Sequence, residues 1–151
     1  MSELHKRELV DVVKQVSKTK PFLGVCMGMQ VLLDHSIEGG GVDCIGLYKG
    51  TTDADGNRLK IPQMGWNRVS HIQDHPMWNG INDDSRFYFV HSFFIDPIDK
   101  SIIAGETNYG VTYPSAIAKD NVFAIQAHPE KSAEDGLQLL KNFSTWDGSA
   151  T

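Results

Sequence analysis

The first segment of the chain carries apolar side chains at the spacing of a helix. An apolar stripe at positions i, i+3, i+4 and i+7 is formed by Leu9, Val12, Val13 and Val16. This pattern predicts a helix over residues 2–17. Pro21 lies just beyond, where a helix has to have ended.

After this helix the pattern changes to short apolar runs. The run at residues 22–25 is typical of a buried parallel strand, and residues 27–34 are predicted to form a helix. A β-rich middle follows, with a turn expected over residues 53–57. Strands are predicted for residues 44–52, 65–72, 86–91, 101–107, 113–119 and 121–126.

A final helix is predicted to start at Ser132, with Asp135 three residues later in a capping-box-like pair. The chain has no internal repeat, low-complexity tract or linker. The order of helix, strand, helix, β-rich middle, strand and helix predicts an α/β fold in a single domain over residues 1–151.

Composition excludes several classes of protein. The 151 residues are 40% apolar and 22% charged, which is typical of a globular domain with a sizeable core. The net charge is -5 and the basic residues are scattered, so neither nucleic acid nor an anionic membrane is an expected partner. No apolar run approaches the roughly 20 residues of a membrane span. The first ten residues do not form a signal peptide, so a cytoplasmic location with Cys26 and Cys44 as free thiols is favoured over a disulfide between them.

Cys26 is the candidate nucleophile. It stands in the pattern Gly-x-Cys-x-Gly, between a predicted strand and a predicted helix, like the serine of a nucleophile elbow. Such a sharp turn needs small flanking residues. The helix that follows is expected to direct its first N–H groups at the sulfur, lowering the thiol pKa and providing an oxyanion donor. The same short pattern also fits a buried structural cysteine beside two glycines.

A thiol nucleophile needs a histidine base, and the base needs an acceptor that fixes its tautomer. Of the six histidines, His128 alone has a carboxylate two residues away, Glu130, in a strand-like context held extended by Pro129. An exposed His and Glu at a strand end is the alternative. His71 and His75 do not fit a metal site, because Pro76 argues against a helix there.

Four ordered motifs now identify a resemblance. Residues 21–30 resemble the nucleophile segment of class I glutamine amidotransferases, and residues 126–132 resemble their His-Pro-Glu segment. Residues 61–67 and 87–92 resemble, more narrowly, the glutaminase subunit of imidazole glycerol phosphate synthase. This resemblance implies a three-layer, flavodoxin-like α/β fold with a mixed, mostly parallel sheet.

The resemblance also implies a reaction that needs no cofactor or metal. Cys26 would attack the side-chain amide of glutamine, His128 would carry the proton to ammonia, and Glu130 would orient His128. The Met27 N–H would bind the oxyanion. The positions that match glutamine-holding residues are Gln30, Ser92 and Phe93.

A partner is implied as well. In this family ammonia passes to a (β/α)8-barrel cyclase, which makes imidazole glycerol phosphate for histidine biosynthesis and a purine-pathway by-product. Positions that match partner-facing residues are Met64, Trp66, Tyr88 and Lys131. Ordinary core packing is the alternative for the two aromatic residues.

The sequence departs from the family pattern. Nothing in residues 1–20 resembles the family's first α/β units or their Pro-Gly-rich oxyanion segment, so a partial, N-terminally truncated domain is expected. A lost oxyanion donor costs ~100- to 1,000-fold in rate. Gln63 replaces a usual His, Ala127 a usual aromatic residue and Phe93 a common Tyr. Two alternatives stay open: an inactive domain that keeps only the partner-binding surface, and another class I amidotransferase of anthranilate or guanylate synthesis, against which the Met-Gly-Trp-Asn segment argues.

Overall fold

The computed structural model describes residues 1–53 and 60–150, so most of the turn expected over residues 53–57 lies outside the described residues. The helices are α1 (Ser2–Lys6), α2 (Leu9–Val16), α3 (Met27–Gln30) and α4 (Ala133–Thr145). The strands are β1 (Phe22–Val25), β2 (His35–Ser36), β3 (Val42–Asp43), β4 (Gly50–Asp53), β5 (Gln63–His71), β6 (Ser85–His91), β7 (Phe94–Pro97), β8 (Ile103–Asn108), β9 (Thr112–Lys119) and β10 (Val122–Ile125). Single 3-10 turns are formed by Glu38–Gly40, Pro76–Trp78, Lys100–Ile102 and Pro129–Lys131.

The described strands form a larger sheet with the order β1-β10-β9-β8-β5-β6 and a smaller one with the order β3-β2-β4-β7. In the larger sheet β1 and β10 are parallel, and every other neighbouring pair is antiparallel. The predicted mixed α/β fold is confirmed, but the expected majority of parallel pairs is wrong for the described residues. Short connections such as the two-residue turn between β9 and β10 are the reason, because they can join only antiparallel neighbours.

Helices cover both faces of the larger sheet. Successive side chains of β10 alternate between two apolar clusters, as the pleat of a strand requires. Phe123 and Ile125 pack in the cluster that contains Leu139 of α4. Val122 and Ala124 pack in the cluster that contains Met29 of α3 and borders Val13 of α2. The larger sheet is therefore the middle of three layers, as expected.

Two local predictions fail for one reason. The helix predicted over residues 27–34 ends at Gln30, and the strand predicted over residues 44–52 forms only at its last residues. The backbone carbonyls of residues 31–34 accept from N–H groups of residues 44–48, with Ile45 N to Val31 O at 2.8 Å and Leu47 N to Leu32 O at 2.9 Å. These cross-connections replace the bonds that would continue a helix or a strand.

The first predicted helix is two helices, since Glu8 has a left-handed backbone with φ 55° between α1 and α2. The last helix begins where predicted, but the capping box is wrong. The Ser132 hydroxyl instead donates to His128 O at 2.6 Å and accepts from Tyr88 N at 2.9 Å. Gly136 is needed because a Cβ there would lie 2.0 Å from Pro129 O, so α4 can approach the turn that follows His128.

The strands predicted over residues 65–72, 86–91, 101–107, 113–119 and 121–126 are confirmed with small shifts of their ends. Strand β7 was not predicted. None of the helices in residues 1–53 and 60–150 has the length and apolar character to cross a membrane.

Candidate active site

Cys26 occupies a sharp turn between β1 and α3. Its φ of 53° and ψ of -110° are rare for a residue with a side chain, and its N–H donates to Ile125 O of β10 at 2.8 Å. A Cβ on Gly24 would lie 2.8 Å from Gly28 O, so this position must be glycine. A Cβ on Gly28 would meet nothing within 4 Å, so the expected need for a small residue there is wrong.

The Cys26 thiol is framed by polar groups. The S–H donates to Val90 O at 3.7 Å, and the Gln126 carboxamide donates to the sulfur at 3.6 Å. Burial raises the pKa of the Cys26 thiol above its ordinary value of 9.0, against the lowering effect of hydrogen bonds from the Met27 N–H and Gln126. The expected lowering of the thiol pKa is therefore wrong, because α3 has four residues and desolvation outweighs its donors.

His128 and Glu130 form a contact suited to a base and its orienting group. The distance from His128 Nδ1 to Glu130 Oε1 is 2.7 Å. The expected extended context is wrong, because Pro129–Lys131 is a 3-10 turn. Since a carboxylate accepts, Nδ1 carries the proton in the neutral ring and Nε2 can take one up. The imidazole is 20% exposed and the carboxylate side chain 51%.

The outer edge of β6 binds both Cys26 and His128 through backbone carbonyls. Tyr88 O accepts from His128 N at 2.9 Å, and Val90 O accepts from the Cys26 thiol. Carbonyls two residues apart on a strand point to the same side. Within the described ranges Cys26 and His128 do not hydrogen-bond to each other, and such contacts are often long in ligand-free enzymes.

The residues expected to hold a substrate lie beside the thiol. Gln30 is 5% exposed, and its Nε2 donates to Phe93 O at 2.8 Å and to Gln126 Oε1 at 2.9 Å. Ser92 and Phe93 form the half-buried connection between β6 and β7. Met27 is 53% exposed on the first turn after Cys26. Gln126 was not singled out from the sequence, although it directly follows β10 and lies two residues before His128.

The residues expected to face a partner lie on an exposed face next to this site. Met64 and Trp66 of β5 are 65% and 45% exposed. Trp66 is paired across the strands with half-buried Tyr88, with ring centroids 6.0 Å apart. Lys131 is exposed on the turn after His128. The alternative interpretation, that Trp66 is an ordinary core residue, is therefore wrong.

His71 and His75 have structural surroundings. His71 stacks on Trp78 with centroids 4.3 Å apart, and His75 accepts from Met77 N while its ring packs against Phe123. Groups of three or more His, Cys, Asp or Glu placed to hold a metal are absent from the part of the chain that the structure describes. Cys26 and Cys44 are free thiols.

Comparison with known proteins now adds to this geometry. The profile of the family "Glutamine amidotransferase class-I" matches residues 3–145. The chain is 53% identical to "Imidazole glycerol phosphate synthase subunit HisH" of Hydrogenovibrio crunogenus, over 98% of this chain and 71% of that protein. The subunit of the same name in Pseudomonas savastanoi pv. phaseolicola is 48% identical, over 98% and 73%.

Solved structures show the same fold at low sequence identity. A crystal structure titled as a glutamine amidotransferase has a TM-score of 0.66 at 12% identity and covers 94% of this chain and 71% of that one. The glutaminase domain of Trypanosoma brucei CTPS with bound acivicin has a TM-score of 0.59 at 16% identity, covering 95% and 66%.

Proposed function

The chain belongs to the class I glutamine amidotransferase family, and from that premise we propose that it hydrolyses glutamine with Cys26, His128 and Glu130. The observation that carries this proposal is the joint attachment of the Cys26 thiol and the His128 backbone N–H to the edge of β6, with Glu130 Oε1 2.7 Å from His128 Nδ1. Nucleophile, base and orienting group then stand in the order that a thiol hydrolase needs.

In the first half of the reaction, His128 Nε2 takes the Cys26 proton and the sulfur attacks the side-chain carbonyl carbon of glutamine. The Met27 N–H stabilises the oxyanion, and the tetrahedral intermediate collapses to a thioester as the proton passes to departing ammonia. In the second half, water gives its proton to His128 and attacks the thioester. Glutamate leaves and the thiol is regenerated. Burial raises the pKa of the Cys26 thiol, which supports a mechanism in which its proton passes to His128 during the attack.

Glutamine is held, in this proposal, by Gln30, Ser92 and Phe93. Both N–H groups of the Gln30 carboxamide are used by Phe93 O and Gln126 Oε1, so its oxygen is the atom left to accept from the α-ammonium group. The substrate would lie over the exposed side of the turn between β1 and α3.

The ammonia is used, we propose, by a cyclase subunit that makes imidazole glycerol phosphate in histidine biosynthesis. The relatives named as subunits of that synthase support this assignment, at 53% and 48% identity. We propose that the partner is a (β/α)8 barrel and contacts Met64, Trp66, Tyr88 and Lys131. Exposed apolar side chains on the face next to His128 are what a docking surface that receives ammonia requires. A cytoplasmic location belongs to the same proposal.

The test is glutamate release from glutamine, measured with and without a purified cyclase subunit of imidazole glycerol phosphate synthase. The control is Cys26→Ala, with Cys44→Ala as the matched cysteine variant. We expect release from the wild-type chain and Cys44→Ala, increased by the cyclase and lost in Cys26→Ala. A folded wild-type chain that binds the cyclase but releases no glutamate would contradict the enzymatic proposal and favour a binding-only domain.

A further inference from the structure

The buried carboxamides of Gln30 and Gln126 form a relay that ends at the nucleophile. Gln126 is fully buried, and its backbone N–H donates to Ser115 O at 2.8 Å. Its side chain lies between Gln30 and the Cys26 sulfur. A buried polar side chain needs partners for its donors and its acceptor, and these two amides provide them for each other.

The relay has a defined direction. The orientation of an amide side chain is normally ambiguous, because its oxygen and nitrogen are alike in shape. Phe93 O is a backbone carbonyl and can only accept, so the atom of Gln30 that faces it at 2.8 Å has to be Nε2. The second N–H of that nitrogen then needs an acceptor, which is Gln126 Oε1 at 2.9 Å. The Gln126 nitrogen is left facing the sulfur at 3.6 Å.

We propose that Gln126 is a further catalytic group, whose carboxamide N–H stabilises the Cys26 thiolate, and that Gln30 is the positioning residue that fixes its orientation. This inference rests on the proposed function, because it assigns a role within the same thiol chemistry. The sulfur loses its donation to Val90 O when it loses its proton. The bond from Gln126 then becomes charge-assisted and stronger, so it favours the reacting form over the resting form.

The surroundings of the thiol make such a donor necessary. Burial disfavours the thiolate, and the carboxylates of Glu130 and Glu38 act in the same direction. The Met27 N–H is the other donor directed at the sulfur, and it is also the group expected to turn to the oxyanion. Gln126 remains with the sulfur throughout, because Gln30 holds its other end.

The experiment measures alkylation of Cys26 by iodoacetamide as a function of pH in a Cys44→Ser background, which reports the thiolate without glutamine. Gln126→Met keeps the length of the side chain and removes the donor, and Gln126→Asn keeps an amide that is too short to reach. Gln138→Met on α4 is the matched control, since that amide bonds Asn142. Unfolding curves establish that each variant is folded.

We expect both Gln126 variants to move the alkylation midpoint to higher pH and to slow alkylation at neutral pH by about tenfold, with the same plateau at high pH. Gln30→Met should move the alkylation midpoint in the same direction by a smaller amount. In glutamate release by the two Gln126 variants, kcat should fall and KM should change little. An unchanged midpoint in both folded Gln126 variants overturns the inference even if the wild type releases glutamate. A shifted midpoint without any glutamate release supports the thiolate contact and contradicts the proposed function instead.

Discussion

The thiol half and the imidazole half of the site are built in different ways. Cys26 is held between β1, α3 and β10, and the two amides behind it, Gln30 and Gln126, are 5% and 0% exposed. Glu130 sits on a single 3-10 turn with 51% of its side chain exposed, and its described contact with His128 is one hydrogen bond. Cys26 and His128 are both partly buried, but the amides behind the thiol belong to the packed interior, whereas the carboxylate behind the imidazole lies at the surface.

This difference indicates which half can respond to a partner. Buried groups that hydrogen-bond to each other have a single arrangement of low free energy, and any other arrangement requires the core to repack. The His128–Glu130 pair, whose carboxylate is exposed on a short turn, is held by fewer contacts and lies next to the exposed side chains of Met64 and Trp66. We therefore expect changes in the thiol half to have the larger effects, and a docked partner to act mainly on the imidazole half.

The largest effect is expected for Gly24→Ala. Its Cβ would lie 2.8 Å from Gly28 O in α3 and 3.0 Å from Ala124 Cβ in the neighbouring strand β10. We expect a loss of about 1 to 3 kcal/mol in the free energy of unfolding. A thiol displaced by about 1 Å should lower glutamate release by ~100-fold or more. Urea unfolding and a glutamate assay measure the two effects.

Gly28→Ala is the matched control, because its Cβ would meet nothing within 4 Å and the residue lies in α3. Its free energy of unfolding should stay the same or rise by up to about 1 kcal/mol. Equal destabilisation by the two substitutions would mean that the thiol half is not tightly packed.

A smaller effect is expected for Glu130→Gln in the imidazole half. Water and the rotated amide oxygen can both accept from His128 Nδ1 at so exposed a position. We therefore expect glutamate release to fall by roughly 10- to 100-fold, well short of the ~10⁴-fold seen when a buried orienting carboxylate becomes an amide. Glu134→Gln on the first turn of α4 is the matched control and should leave the rate unchanged. A ~10⁴-fold loss of glutamate release would mean that Glu130 acts as a buried orienting carboxylate. The proposed difference between the two halves of the site would then be wrong.

The sequence predicted the two halves unequally. The strand before Cys26 and the strands of the middle followed from short apolar runs, because a buried strand depends on local pattern. The contact between His128 and Glu130 followed from spacing, although the backbone between them is not extended. The raised thiol pKa and the role of Gln126 could not be predicted, since both depend on burial and on contacts about 100 residues apart in the chain.

Tertiary contacts also explain why the predicted helix over residues 27–34 and strand over residues 44–52 were wrong. Residues 44–48 have a strand-like pattern, but their N–H groups bond the carbonyls that follow α3. The surroundings of Gln63 also depend on tertiary contacts. Its Oε1 accepts from Tyr113 at 2.7 Å and lies 2.9 Å from His91 Nε2, a buried arrangement that no local pattern specifies.

The smallest effect is expected for Trp66→Ala, which tests the exposed face beside the imidazole half. Trp66 is 45% exposed and stands edge-on to Tyr88, so its removal should cost the isolated chain little. The Kd for the cyclase subunit should rise by about tenfold, because aromatic side chains dominate such interfaces. Alkylation of Cys26 without the partner should not change, since Trp66 lies on the exposed face of β5 against Tyr88. Ile98→Ala, a 72% exposed apolar residue after β7, is the control. Equal Kd values for the two variants would mean that the exposed face around Trp66 does not bind the cyclase subunit. The expectation that a docked partner acts on the imidazole half would then be wrong.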